Sequence, residues 1–172
     1  MLNTVEAFFR RHGHWPDILG LGLFAAFLLA VLSEMGGAAA PAFALDTRLS
    51  YTTAEAQAVL GRLSLAQRAL AARAHLTVDV LFPLAYGLLL ALLLVRAWPR
   101  RRLWLLAPAI VLADLTENAL LAFLYLRYPV GLNTLTPWAS AATMLKWGLM
   151  GVAVAAVVWG WGERLAKRKT PQ

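Results

Sequence analysis

Four long apolar runs, separated by two short polar connections and one long one, dominate the chain. They extend from about Trp15 to Met35, Leu76 to Val95, Leu103 to Leu126 and Trp138 to Trp161. Each is close to the roughly 20 helical residues needed to cross a hydrocarbon core about 30 Å thick. A soluble bundle can bury one such helix at its centre but not four. A water-facing helix needs a polar stripe, and the runs 88–95 and 152–158 have none. Within lipid the backbone must satisfy its own hydrogen bonds, which favours helices. The pattern therefore predicts an all-α, polytopic membrane protein, a four-transmembrane-helix bundle in one membrane domain over 1–172, with spans at 15–35, 76–95, 103–126 and 138–161.

The connections carry their own signals. In residues 1–14, Asn3 and Glu6 are spaced as a helix cap ahead of Phe8, Phe9 and Trp15, as in a short interfacial helix. In the long connection 36–75, Thr52 and Glu55 have capping-box spacing, and Ala56, Val59, Leu60, Leu63, Leu70 and Ala74 then recur at helical intervals. This predicts an amphipathic helix over 53–75, with Gly61 as an interruption. Such a helix suits either the membrane surface or the mouth of the bundle, and amphipathicity does not choose between them. Trp98-Pro99, and Tyr128-Pro129 with Gly131, mark the short turns. Trp98, Trp104, Tyr128, Trp138, Trp159 and Trp161 cluster at the ends of the spans as an aromatic belt.

Composition agrees with this reading. Hydrophobic residues make up 60% of the chain and charged residues 15%, and mean hydropathy is +0.64. The apolar fraction excludes a disordered chain, and the absence of cysteine excludes a disulfide scaffold. The net charge of +7 would suit a nucleic-acid binder, but its distribution suits membrane topology. Arg10 and Arg11 precede the first span, Arg96 and Arg100 to Arg102 lie between the second and third, and Arg164 and Lys167 to Lys169 follow the fourth. The opposite side carries only Arg48, Arg62, Arg68, Arg73 and Arg127. By the positive-inside rule both termini, including the basic tail 162–172, are cytoplasmic. No nucleic-acid partner is predicted. Ile18 to Leu32 also has the length of a signal-peptide core, and Ala42-Phe43-Ala44 resembles a cleavage site. The long preceding segment, with Glu34 and Pro41 between core and site, favours an uncleaved anchor.

Against this background, the ionisable residues within the spans stand out: Asp79, Asp114, Glu117 and Lys146, with Asn118 and Thr143 beside them. A charge at the bilayer centre costs about 3 kcal/mol or more, so such groups pair, face a cavity or lie near an end. Asp114, Glu117 and Asn118 fall at i, i+3 and i+4 on one helical face, which Leu121 and Tyr125 extend. His75, Asp79, Pro83 and Tyr86 share a face of the second span, and Thr143 and Lys146 a face of the fourth. At about 1.5 Å per residue, Asp114 lies roughly 16 Å in from Leu103 and Lys146 roughly 14 Å in from Pro137, so the two are level. An ion pair of Lys146 with Asp114 or Glu117 follows. Three carboxylates against one lysine also leave excess negative charge, which suits a proton carrier, an acid catalyst or a cation site. Pro83 cannot donate to the carbonyl of Asp79 and leaves that oxygen for a ligand or a water. Asp79, near the end of its span, has solvation or pairing with Arg73 or His75 as its simpler explanation. Polar residues also hold membrane helices together, so the ion pair serves as structural glue equally well.

Other chemistry finds no support in the residues. His12, His14 and His75 fall on opposite sides of the membrane and there is no thiolate, so no metal site is predicted. There is no phosphate-binding glycine loop and no nucleophile elbow, and no cofactor is predicted. Leu45-Asp46, Tyr51-Thr52 with Glu55-Ala56, Asp79 with Phe82-Pro83 and Tyr86, and Asp114-Leu115-Thr116-Glu117-Asn118 together resemble an uncharacterised family of bacterial four-helix inner-membrane proteins. The resemblance covers about residues 45 to 130. It implies a four-helix membrane protein and brings no activity or catalytic residue. Three readings of function remain. The first is a site in the middle and outer half of the bundle that binds or acts on a lipid or other apolar molecule. The second is an accessory or assembly subunit, with a membrane-protein partner or a second copy of the chain. The third is a proton- or ion-linked transport component. Whether the protein is an enzyme stays open.

Overall fold

Helix is the only regular structure among the described residues, as expected of long apolar segments that must satisfy their own backbone groups. The computed structural model describes residues 4, 7–9, 11, 14–38, 45–99 and 101–169. The predicted cap at Asn3 and Glu6, the Ala42-Phe43-Ala44 sequence, Arg10, His12 and Arg100 lie outside them. The elements are α1 (Trp15–Ala38), α2 (Thr53–Gly61), α3 (Leu65–Leu76), α4 (Val78–Ala97), a 3₁₀ turn (Arg102–Leu105), α5 (Leu106–Arg127) and α6 (Leu132–Lys169). Four stretches, within Trp15–Met35, Leu65–Ala97, Arg102–Arg127 and Leu132–Lys167, are helical, long and apolar enough to cross a membrane. Their outward sides are apolar too: Leu23, Phe27, Leu112, Phe123, Val152 and Val158 are all exposed.

The segment 53–75 forms two helices, divided after Gly61, the residue expected to interrupt it. Thr52 caps α2 through a reciprocal pair with Glu55, and Ser64 caps α3 in the same way with Gln67. The second capping box, Ser64-Leu65-Ala66-Gln67, starts a new helix just after Gly61 ends the first. At Thr77 the backbone leaves helical geometry, and α3 gives way to α4. The last helix begins at Leu132, with Pro137 in its second turn. Gly131 sits at φ +80°, a conformation L residues rarely adopt, and its carbonyl accepts from Leu135 N at 2.8 Å as the chain turns from α5 into α6.

α5 packs along both α6 and α4, α1 packs along α4, α3 lies on α5, and α2 lies on α6. The two short helices thereby cover one end of the bundle, where Leu60, Ala71, Leu121, Tyr125 and Ala139 belong to one apolar cluster. At the other end Leu94, Trp104, Ile110 and Ala153 belong to a second. Burial of these side chains positions what lies between the two clusters, a layer of buried polar groups.

Candidate functional site

The polar layer is assembled from four helices and one loop. α5 contributes Asp114, Glu117 and Asn118 from one face, as the i, i+3, i+4 spacing requires. α6 contributes Thr143 and Lys146, α4 contributes Asp79 and Tyr86, and α3 contributes His75. All but Tyr86, which is partly buried, are buried. The structure separates them into two linked groups.

In the first group, Lys146 Nζ lies 2.5 Å from Glu117 Oε2 and 3.6 Å from Asp114 Oδ1. The expected ion pair is thus a triad with Glu117 as the nearer partner. The Thr143 hydroxyl lies 2.5 Å from Glu117 Oε1 and 3.0 Å from its own helix's Ala139 carbonyl. The Tyr86 hydroxyl donates to Asp114 Oδ2. These contacts compensate buried charge with charge-assisted hydrogen bonds, which is what makes such a group tolerable away from water.

In the second group, Asn118 fixes the protonation pattern. Its amide nitrogen donates to the Asp79 carbonyl at 2.6 Å, so its oxygen faces His75 Nδ1 at 3.2 Å. His75 Nδ1 also lies 2.8 Å from Asp79 Oδ2. With two acceptor oxygens before it, Nδ1 carries the proton. The carbonyl that Pro83 leaves without its helical donor is taken by Asn118, not left for a ligand or a water. Asp79, for which solvation was one expectation, is 7% exposed and bonded to His75. Tyr125 stacks on the His75 ring, with centroids 5.6 Å apart.

Asp46, in the loop before α2, completes this group. Asp46, His75 and Asp79 each place one potential ligand atom within 4.8 Å of the others. The hydrogen bonds of His75 and Asp79 already account for that pair. Asp46 Oδ1 is buried and has no hydrogen-bond partner among the described residues. Burial pushes the Asp46 carboxyl up to about 6; Asp79 and Asp114 add to the shift, and His75 and Lys146 oppose it. Nearby, burial also raises the Tyr51 phenol. The Tyr51 backbone N–H donates to Ser140 Oγ at 3.0 Å and ties the loop to α6. In the sequence, Asp46 stands out only as part of the family resemblance. No periodicity connects a loop residue to positions 75 and 79, so spacing carried no signal for it.

Both groups open onto one cavity of about 590 Å³. Asp46, Asp79, Asp114 and Lys146 form its polar wall, and the rest of the lining is mostly apolar, including Leu32 of α1, Leu89 and Leu93 of α4 and Met150 of α6. Leu29 and Trp147, also on its walls, are 51% and 39% exposed, so the cavity is open to the side of the bundle. α1 and α6 meet through Trp15 and Trp161, whose ring centroids are 5.5 Å apart, while the cavity lies further along, between Leu32 and Met150. Set against known protein families, curated proteins and solved structures, the chain matches none.

Proposed function

We propose that the protein is a bacterial inner-membrane component whose lateral cavity binds, or acts on, a lipid or another apolar molecule in the outer half of the bilayer. The observation that carries this reading is the cavity itself: apolar walls reaching the exposed side of the bundle, with buried charges at one edge. Its volume of about 590 Å³ is within the range of about 300–1,000 Å³ usual for small-molecule sites. A transport pathway is less well supported, because the polar layer gives way at the end away from α2 and α3 to the cluster of Leu94, Trp104 and Ile110. In this reading the membrane lipid is the partner. Asp46, Asp79, Asp114 and Lys146 form the charged wall, with Glu117 and His75 buried behind it as partners of Lys146 and Asp79.

The test is gentle extraction of the full chain and mass spectrometry of what comes with it. Wild type retains a lipid or other apolar molecule, and Leu93→Trp, which fills the cavity, loses it while folding normally. Retention of the same molecules at the same ratio by both proteins would remove the reading. Recovery of a stoichiometric membrane protein, unaffected by Leu93→Trp, would favour an accessory subunit instead.

A further inference from the structure

The charges around the cavity do not balance, and the imbalance has a sign. Lys146 is engaged by Glu117 at 2.5 Å and Asp114 at 3.6 Å, so its single positive charge is divided between two carboxylates. His75 is engaged by Asp79. Among the described residues no lysine or arginine forms an ion pair with Asp46, and its buried Oδ1 has no hydrogen-bond donor. An anionic headgroup entering here would bring acceptor oxygens to a wall of acceptor oxygens, with a lysine already occupied. A neutral hydroxyl would satisfy one acceptor. A protonated amine has three donors and the missing charge.

The spacing agrees. The potential ligand atoms of Asp46 and Asp79 lie within 4.8 Å of each other. A tetrahedral ammonium donating to two oxygens at ordinary hydrogen-bond lengths holds them about 4.6 Å apart. Beyond this point the lining turns apolar along Leu29, Leu32, Leu89 and Leu93. A molecule that fits both parts has a cationic head and a hydrocarbon chain. Resting on the reading of this cavity as a lipid site, we infer that its ligand is an amine-headed amphiphile, with the ammonium held between Asp46 and Asp79 and the chain lying along α1 and α4 toward the side opening. Charge recognition places this head at the loop-covered end of the cavity. Removing the Asp46 charge weakens the head contact and leaves the chain contact in place.

The experiment compares three probes of equal chain length, dodecylamine, 1-dodecanol and dodecanoate, binding to the full chain in nanodiscs of zwitterionic lipid at pH 7.5. Each is measured against empty nanodiscs, for wild type, Asp46→Asn and Leu93→Trp, with thermal unfolding to verify that the variants fold. The amine is expected to bind at least tenfold tighter than the alcohol, and dodecanoate weakest. Asp46→Asn should reduce amine binding about tenfold and leave dodecanol unchanged, and Leu93→Trp should release all three. If the probes bind alike, or dodecanoate best, and Leu93→Trp still releases them, the amine preference is wrong and the lipid cavity stands. If wild type retains no probe above empty nanodiscs, or Leu93→Trp has no effect, both fall. If Zn²⁺ or Ca²⁺ alone binds in an Asp46-dependent way and the amine does not, the acidic edge is a metal site and the proposal is overturned.

Discussion

Lys146 and Asp46 represent opposite states of a buried charge, and each gives a prediction. Lys146 is compensated, and removing it strands Glu117, which is fully buried. Breaking a buried pair from one side costs about 3–5 kcal/mol, because the remaining charge has lost its partner. Lys146→Met should therefore destabilise by about 3 kcal/mol or more in detergent unfolding. Adding Glu117→Gln to Lys146→Met should recover most of the loss; a double variant as unstable as the single one would show that the pair is not the cause. Asp46 has a buried Oδ1 with no hydrogen-bond donor among the described residues. Its carboxyl is raised from 3.8 to about 6 on folding, so the folded state holds its proton more tightly than the unfolded state does. Stability is then fully present below about pH 4 and is lost as pH rises through about 6. Wild type and Asp46→Asn should unfold alike at pH 4, and Asp46→Asn should be the more stable at pH 8, by up to about 3 kcal/mol. Equal stability at both pH values would remove the raised titration. Much of the site was legible from spacing. Asp114, Glu117 and Asn118 had to share a face, and Lys146 was level with Asp114. Asp46 was not legible as a site residue, since only the folding of a loop over the bundle end brings it to His75 and Asp79. The partner of the Asp79 carbonyl was half legible: Pro83 shows in sequence that the oxygen is freed, but not that Asn118 takes it.

At the scale of elements, the apolar periods gave the four long helices, and the capping chemistry gave the short ones. Thr52 and Glu55 mark the start of α2, and Ser64 with Gln67, masked by an apolar rhythm that runs through both segments, divides α3 from it. What no period reveals is how closely two helices approach. At Gly87 in α4, an added Cβ would lie 2.2 Å from a methyl of Val111 in α5. That contact is short enough to force the helices apart, or Val111 off its rotamer. At Gly148 in α6, nothing lies within 4 Å of an added Cβ. Alanine gains helix propensity of about 1 kcal/mol over glycine at either position, but at Gly87 overpacking opposes it by about 1–3 kcal/mol. Gly87→Ala is expected to lower the unfolding temperature, and Gly148→Ala to leave it unchanged or raise it. If the two variants shift alike, backbone propensity and not helix approach decides the outcome at Gly87.

For the whole molecule, the decisive quantity is where the cations lie relative to the four spans. Arg101 and Arg102 adjoin the turn before α5, and Arg164 and Lys167 lie near the end of α6, while the α2–α3 cover lies at the opposite end of the bundle, over Leu121 and Ala139. An even number of crossings puts both termini on one side, and in the proposed orientation, which follows the bias of lysine and arginine, that side is the cytoplasm. In that orientation the cover, Asp46 and the polar edge of the cavity would face outward, and the proposed ligand would enter from the outer leaflet. The chain contains no cysteine, so a single introduced thiol reports its own side without background. Gln57 on α2 and Lys167 on α6 are both exposed. Gln57→Cys should react with a membrane-impermeant maleimide in intact spheroplasts, and Lys167→Cys only after the membrane is opened. Exchange of the two results would invert the topology and move the cavity to the inner leaflet. Labelling of both thiols in sealed cells would contradict an even number of crossings. If Gln57→Cys reacts in intact spheroplasts but is protected when dodecylamine is bound, the cover also closes over the occupied site. The orientation and the occupancy of the cavity by the amine would then be read in one experiment.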